Sequence, residues 1–156
     1  MKLSWTRVYP YPRSAVWLAV TDARAIRQWW VDTNFEPVKG KVFFMQDTPQ
    51  GSWDGRVTGE VLDVEHETRV VFSWKGGGHQ TKVTYELFDE PGGRTRFVLR
   101  HDGFVGLKGL FLSTLLRFGW RSFLNVQLAE LAAHVATAGV AAPFPQPSKA
   151  QRGAAR

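Results

Sequence analysis

The sequence predicts an α+β fold in which a curved antiparallel sheet is covered on one side by a long carboxy-terminal helix. Three observations carry this expectation. Between residues 41 and 101, apolar and polar residues alternate with a period of two through five segments separated by short turn-rich loops. One face of those segments is apolar and aromatic, the other charged. After them comes a stretch with helical periodicity, more than 20 residues or about 30 Å long, enough to cross the face of such a sheet.

The elements follow in order. "KLSWTRVY" (2–9) alternates as a strand with Leu3 and Trp5 on one face. Behind Pro12, which a first helical turn tolerates, Val16, Ala19 and Val20 have helical spacing. Thr21 and Asp22 can cap a second short helix carrying Ile26, Trp29 and Trp30 at i, i+3 and i+4. The meander comprises "KVFFMQ", "WDGRVTGEVLDVE", "RVVFSWK", "TKVTYELFD" and "TRFVLRH". Short connections make successive strands antiparallel neighbours. Gly55 and Gly59 inside the long second segment predict a bend or bulge, hence a strongly curved sheet.

Period two assigns the inward positions. Val42, Phe44 and Gln46 share a face, as do Trp53, Val57 and Val61, then Val70, Phe72 and Trp74, then Val83, Tyr85 and Leu87, and finally Phe97, Leu99 and His101. On the long helix, Trp120, Phe123, Leu124, Gln127, Leu131 and Val135 fall in one arc at 100° per residue and should lie on the sheet. Phe111, Leu112, Leu115 and Phe118 centre about a third of a turn away, which predicts a break near Gly119.

Composition narrows the function. A chain of 156 residues suits one domain, here placed at 1–138. Beyond it, 139–156 is rich in Pro and Ala, with Lys149, Arg152 and Arg156 and no acid, and is expected to be a disordered tail. Those three side chains supply half of the formal charge of +6, and elsewhere basic and acidic residues are interspersed. Nucleic-acid binding is therefore not expected. The absence of cysteine excludes a disulfide scaffold or thiol nucleophile and suits a cytoplasmic location; no signal peptide is indicated. The 7 Trp and 11 Phe give this chain an unusual amount of aromatic surface, which needs a use.

Motifs for catalysis are weak. His66, His79, His101 and His134 have no metal-ligand spacing, so no metal is expected. "KGGGHQ" lies between two strands and reads as a hairpin loop, and Ser113, Thr114 and Ser122 lack a nucleophile-elbow context. His101 and Asp102 end the last strand, where neighbours point to opposite faces, so a direct pair is not favoured. No catalytic residue and no cofactor are assigned.

Several stretches in this order, "TDARAIRQWW", "WDGRVTGEVLDVE", "VVFSWK", "GGRTRFVLRHDGF" and the Gly119–Trp120 pair, resemble the activator of heat shock protein 90 ATPase homologue-like family of the START/polyketide-cyclase superfamily. The resemblance covers residues 1 to about 138 and implies a helix-grip fold with a hydrophobic cavity between sheet and helix. It implies lipid-like or other apolar ligands, and in some members polyketide cyclisation or dehydration. The separate amino-terminal domain with which the chaperone regulators bind their chaperone is missing from this chain, which argues against a chaperone partner.

The expected pocket comprises Trp30, Phe44, Trp53, Trp74, Tyr85, Leu99, His101, Phe104, Trp120, Phe123, Leu124 and Gln127, around a cavity of a few hundred Å³ on the order usual for such sites. The leading reading is binding of a small hydrophobic ligand. Alternatives are a cyclase, aromatase or dehydratase using His101, Tyr85 or Gln127, and an interaction module for a chaperone or a second copy. "GLKGLFLSTLLRF", with Phe111, Leu115 and Phe118, is expected to form a lid, portal or dimer surface. Lys108 and Arg117 interrupt it, so no stable membrane insertion is expected. They also lie about 180° apart on a helix, which reads against a cationic surface helix.

Overall fold

A computed structural model describes residues 1–29 and 31–140, with Trp29 described in its backbone alone. Trp30 and the tail from residue 141, both named above, lie outside the described residues. Seven strands form a single antiparallel sheet in the order β1-β7-β6-β5-β4-β3-β2. They are β1 (Lys2–Tyr9), β2 (Asp32–Thr33), β3 (Val42–Gln46), β4 (Arg56–Glu65), β5 (Arg69–Gly76), β6 (His79–Glu90) and β7 (Arg94–Asp102). Helices α1 (Arg13–Thr21) and α2 (Ala23–Trp29) follow β1 as the capping pattern predicted, and Asp22 Oδ1 accepts the Arg24 backbone N–H at 2.9 Å. The two-residue β2 carries no alternation to read and was not foreseen.

The expected phase of β3 is corrected by one residue. Phe43 and Met45 are buried, while Val42 is 69% exposed and Phe44 faces outward beneath the Arg56 guanidinium, 4.6 Å from the ring centroid. Four consecutive apolar residues, 42 to 45, allow either phase, so periodicity had nothing to choose on. The choice is made at Gly59, opposite Phe43: a Cβ there would lie 2.7 Å from Phe43 Cζ and 2.0 Å from the Ser73 carbonyl oxygen. Phe43 fills the space that Gly59 leaves. The bulge of β4 falls between Val61 and Asp63 rather than at Gly55 or Gly59, and the strand begins at Arg56, leaving Trp53 in the preceding loop.

The concave side of the sheet carries a chain of rings in edge-on or tilted contact. Phe35 meets Phe43 and Phe72 at 4.8 and 5.4 Å, Phe72 meets Tyr85 at 5.3 Å, and Tyr85 meets Phe97 at 5.2 Å. Such pairs add about 0.5–1.5 kcal/mol each beyond the area they bury. On the convex side, polar residues form ion pairs such as Arg96–Glu90 and Arg100–Glu86.

The carboxy-terminal helix runs without a break at Gly119. It consists of α3 (Gly106–Ser122), a π turn at Phe123–Gln127 and α4 (Leu128–Ala138). The Leu128 backbone N–H donates to the Phe123 carbonyl five residues back. A π turn adds one residue and so offsets all later positions by about 100°. Leu128, Leu131, Ala132 and Val135 are thereby brought onto the face that holds Trp120, Phe123 and Leu124. A uniform helix would have put Gln127 on that face; in the structure Gln127 is half-buried and Leu128 takes the core position. Strand β1 holds the irregularity: the buried Tyr9 hydroxyl donates to the Leu124 carbonyl at 2.6 Å, and Arg7 Nε donates to Asn125 Oδ1 at 2.9 Å.

Two stability measurements check this account. Leu128→Ala should cost about 2–5 kcal/mol in urea unfolding, as a buried leucine does, whereas Gln127→Ala should stay within about 0.5 kcal/mol. Tyr9→Phe should cost roughly 1 kcal/mol, or somewhat more if the carbonyl it abandons stays dry.

Candidate functional site

The two halves of the long helix meet the sheet differently. From Phe123 onward, large side chains press into the core. Along α3, the buried positions before Trp120 are Gly109 and Ser113, which fill little space. Gly109 lets the helix rest on Phe104, where a Cβ would sit 3.2 Å from the Phe104 carbonyl carbon. Close packing is therefore reached at one end of the helix and not under its flank, and a cavity of about 960 Å³ remains there, open to solvent.

Its wall on the helix is Leu107, Lys108, Phe111, Leu112, Leu115, Leu116, Gly119 and Trp120. Facing them are Val31, Met45, Val57 and Trp74 from the sheet side, and Trp53 with Gln50, Gly51 and Ser52 from the β3–β4 loop. Gly76, Gly77 and His79 of the β5–β6 hairpin close one end. Gly55 at the foot of the β3–β4 loop has φ +79°, and a Cβ there would lie 2.2 Å from the Asp47 carbonyl oxygen. This loop can therefore fold back over the cavity only with glycine at 55. Apolar surface predominates, with Asp47, Gln50, Ser52, Lys108 and His79 supplying the polar groups.

Trp53, Trp74 and Trp120 of the expected pocket line this cavity, together with Phe111 and Leu115 of the expected lid. The others are placed elsewhere. Tyr85, Leu99, Phe123 and Leu124 are packed in the core, Phe104 lies under the start of α3, Gln127 ends the π turn, and Phe44 is on the outer surface. Phe118 is 69% exposed and does not border the cavity. The pocket thus lies nearer the amino-terminal end of α3 than the inward-facing pattern implied. Leu112, Leu116, Met45 and Val57 were not among the expected lining residues; the apolar run 106–118 was the signal that could have located the first two.

His101 is fully buried behind the cavity wall and belongs to a closed relay. An indole N–H can only donate, so Trp120 Nε1, at 3.0 Å, makes His101 Nδ1 the acceptor. The proton is then on Nε2, which donates to Thr81 Oγ1 at 2.6 Å, and the Thr81 hydroxyl donates to the Trp74 carbonyl at 3.2 Å. Each polar atom of the relay has its partner, and desolvation lowers the His101 pKa from 6.5 to about 4. The imidazole is neutral and does not line the cavity, so it is not positioned to act as a base on a molecule held there. Tyr85, whose pKa burial raises, likewise keeps its proton. No group of three or more His, Asp or Glu among the described residues could hold a metal ion.

A family model described as "Activator of Hsp90 ATPase homolog 1-like protein" matches residues 10–133. The chain belongs to this family. No curated protein matches it. Among solved structures, protein MLL2253 from Mesorhizobium loti is 22% identical, with TM-score 0.74 over 86% of this chain and 98% of that one. An HSP90 activator from Plasmodium falciparum, PFC0360w, is 18% identical, with TM-score 0.66 over 86% and 96% of the two chains. DynU16, a protein in the dynemicin biosynthetic locus, is 24% identical, with TM-score 0.66 over 87% of this chain and 47% of that one. At these identities the likeness carries the fold alone: a curled antiparallel sheet gripping a long carboxy-terminal helix, as in START-like proteins.

The relay has a pH signature. Because the folded-state pKa of His101 lies below 6.5, the unfolded chain binds more protons between pH 6.5 and about 4. Stability is therefore complete above pH 6.5 and falls as the pH drops through that window, by on the order of 3 kcal/mol in all. Urea unfolding between pH 7 and 5 should show the fall, and in His101→Gln this component should be missing. Thr81→Val, which strands the Nε2 proton, should cost about 1–3 kcal/mol at pH 7.

Proposed function

We propose that this protein binds a small hydrophobic molecule in the cavity beneath α3. The single observation that supports this best is the cavity itself, about 960 Å³ between the flank of α3, running from Leu107 to Trp120, and Trp53 and Trp74 opposite. That volume is at the upper end of the range in which small-molecule pockets lie, about 300–1,000 Å³, and its lining has the usual mix of apolar walls and few polar groups. Trp74 supplies a directional group as well: it borders the cavity, and its indole N–H makes no hydrogen bond among the described residues. An occupant with one acceptor, such as a carbonyl or phenol oxygen, could take that donor. The ligand is thus read as apolar, of lipid-like or polyketide-like bulk, with a single acceptor near one end.

Catalysis of the cyclase, aromatase or dehydratase type is the second reading, and the likeness to a protein of the dynemicin biosynthetic locus is what favours it. The residues on which it was expected to depend, His101, Tyr85 and Gln127, do not border the cavity, so binding without turnover is preferred.

A neutral fluorescent probe tests the reading. N-phenyl-1-naphthylamine should brighten on addition to the protein, and Leu116→Trp, which fills the cavity, should weaken its binding at least tenfold with an unchanged circular dichroism spectrum. Equal binding by Leu116→Trp would remove the cavity as the site.

A further inference from the structure

The outward face of α3 has no covering element. At 100° per residue, Leu107, Phe111, Leu115 and Phe118 fall within an arc of about 80°, turned about 180° from Gly109, Ser113 and Trp120, which face the sheet. They are 84%, 67%, 54% and 69% exposed, a continuous ridge of large apolar side chains on a single helix. Scattered exposed leucines need no explanation, whereas a contiguous ridge marks a contact surface.

The charges around the ridge indicate what it contacts. Lys108 flanks it on one side and Arg117 and Arg121 on the other, all exposed and none in an ion pair among the described residues. The half-turn between Lys108 and Arg117, which read against a cationic helix face, in fact brackets an apolar stripe. From Gly103 to Ala129 the chain has no acidic residue. Among the cavity-lining residues the acid is Asp47, across the opening on the β3–β4 loop. A second copy of the chain docked ridge to ridge about a twofold axis would bring like charges together without an acid to neutralise them. A convex ridge of this kind suits a deformable interface.

We propose that α3 docks this ridge onto the surface of an anionic lipid bilayer, lying in the interface plane with Leu107, Phe111, Leu115 and Phe118 among the acyl chains and Lys108, Arg117 and Arg121 at the headgroups. No helix among the described residues is long and apolar enough to cross a membrane, so the contact is peripheral. Leu107, Phe111 and Leu115 belong both to the ridge and to the cavity wall, which puts the cavity mouth beside the bilayer. The docking stands independently of what the cavity holds.

Co-sedimentation of the full chain with vesicles tests it. Vesicles of phosphatidylcholine with 30% phosphatidylserine should bind the protein at low salt, with the bound fraction falling several-fold in pure phosphatidylcholine or at 0.5 M salt. Phe118→Ser, which leaves the cavity lining intact, should reduce binding at least fivefold, and the pair Arg117→Glu and Arg121→Glu should abolish the preference for anionic lipid. Val42→Ser, an equally exposed apolar position on β3, should change nothing, and replacing Lys149, Arg152 and Arg156 of the tail by Ala should leave most of the binding. Each of three results would overturn the proposal: no binding to anionic vesicles, binding that Phe118→Ser and Val42→Ser affect alike, or binding lost with the tail charges alone. So would a dimer by light scattering that Phe118→Ser dissociates while vesicles leave the protein unbound. Probe binding in the cavity should be unchanged in Phe118→Ser, so failure here is distinguishable from failure of the cavity reading.

Discussion

The hydrogen bond from Trp120 Nε1 to His101 Nδ1 joins the two layers of this protein at the point where dense core gives way to cavity. It ties α3 to β7, and through Thr81 and the Trp74 carbonyl the tie continues across β6 to β5. With every polar atom of the relay satisfied, the Trp120 indole is fixed in place, and the Trp74 ring packs 5.6 Å from it to complete the wall. Behind that wall lie His101, Phe104 and Tyr85. In front of it is the open volume bounded by Leu112, Leu116 and Trp53. A buried polar network of this kind is costly when half-made and rigidifying when complete. Here its completeness fixes the Trp120 indole where it borders the cavity.

The π turn sets the second constraint. A helix that must fill the core with Leu128, Leu131 and Val135 at one end, and present Trp120 to His101 at the other, needs its apolar face rotated part-way along. The extra residue supplies the rotation, and the Tyr9 hydroxyl takes the Leu124 carbonyl that the altered winding leaves available. Upstream of the turn, small buried residues leave α3 above its cavity with a bare outer ridge. Cavity and ridge thus share one origin, in a half-helix whose sheet-facing positions are Gly109 and Ser113 and whose large residues point sideways or out.

The meander, the two short helices and the long helix were legible because their signals are local: alternation, capping residues and turn chemistry. The phase of β3 was not, since Val42 to Met45 are all apolar and only the space over Gly59 decides which of them turns inward. The pocket was legible in part. Trp53, Trp74 and Trp120 were marked by inward position, but so were Tyr85, Leu99 and Phe123, and inward position alone does not separate side chains that fill space from side chains that border it. His101 drew notice as a titratable residue at a strand end; whether it was a base or a structural link depended on Thr81 and Trp120, 20 and 19 residues away in the chain.

By itself, then, the sequence determined the element order apart from the short β2, the antiparallel meander, the aromatic concave face and the unusual apolarity of residues 106–118, all of which follow from periodicity within a few residues of each position. Tertiary structure decided the rest: which phase β3 adopts, that the helix irregularity is a π turn at 123–127 rather than a break at Gly119, that His101 is sealed in a neutral relay, and that the cavity lies under α3. The reason is common to all four. Each depends on how much space a distant residue occupies, and that quantity is set by packing and not by the pattern along the chain.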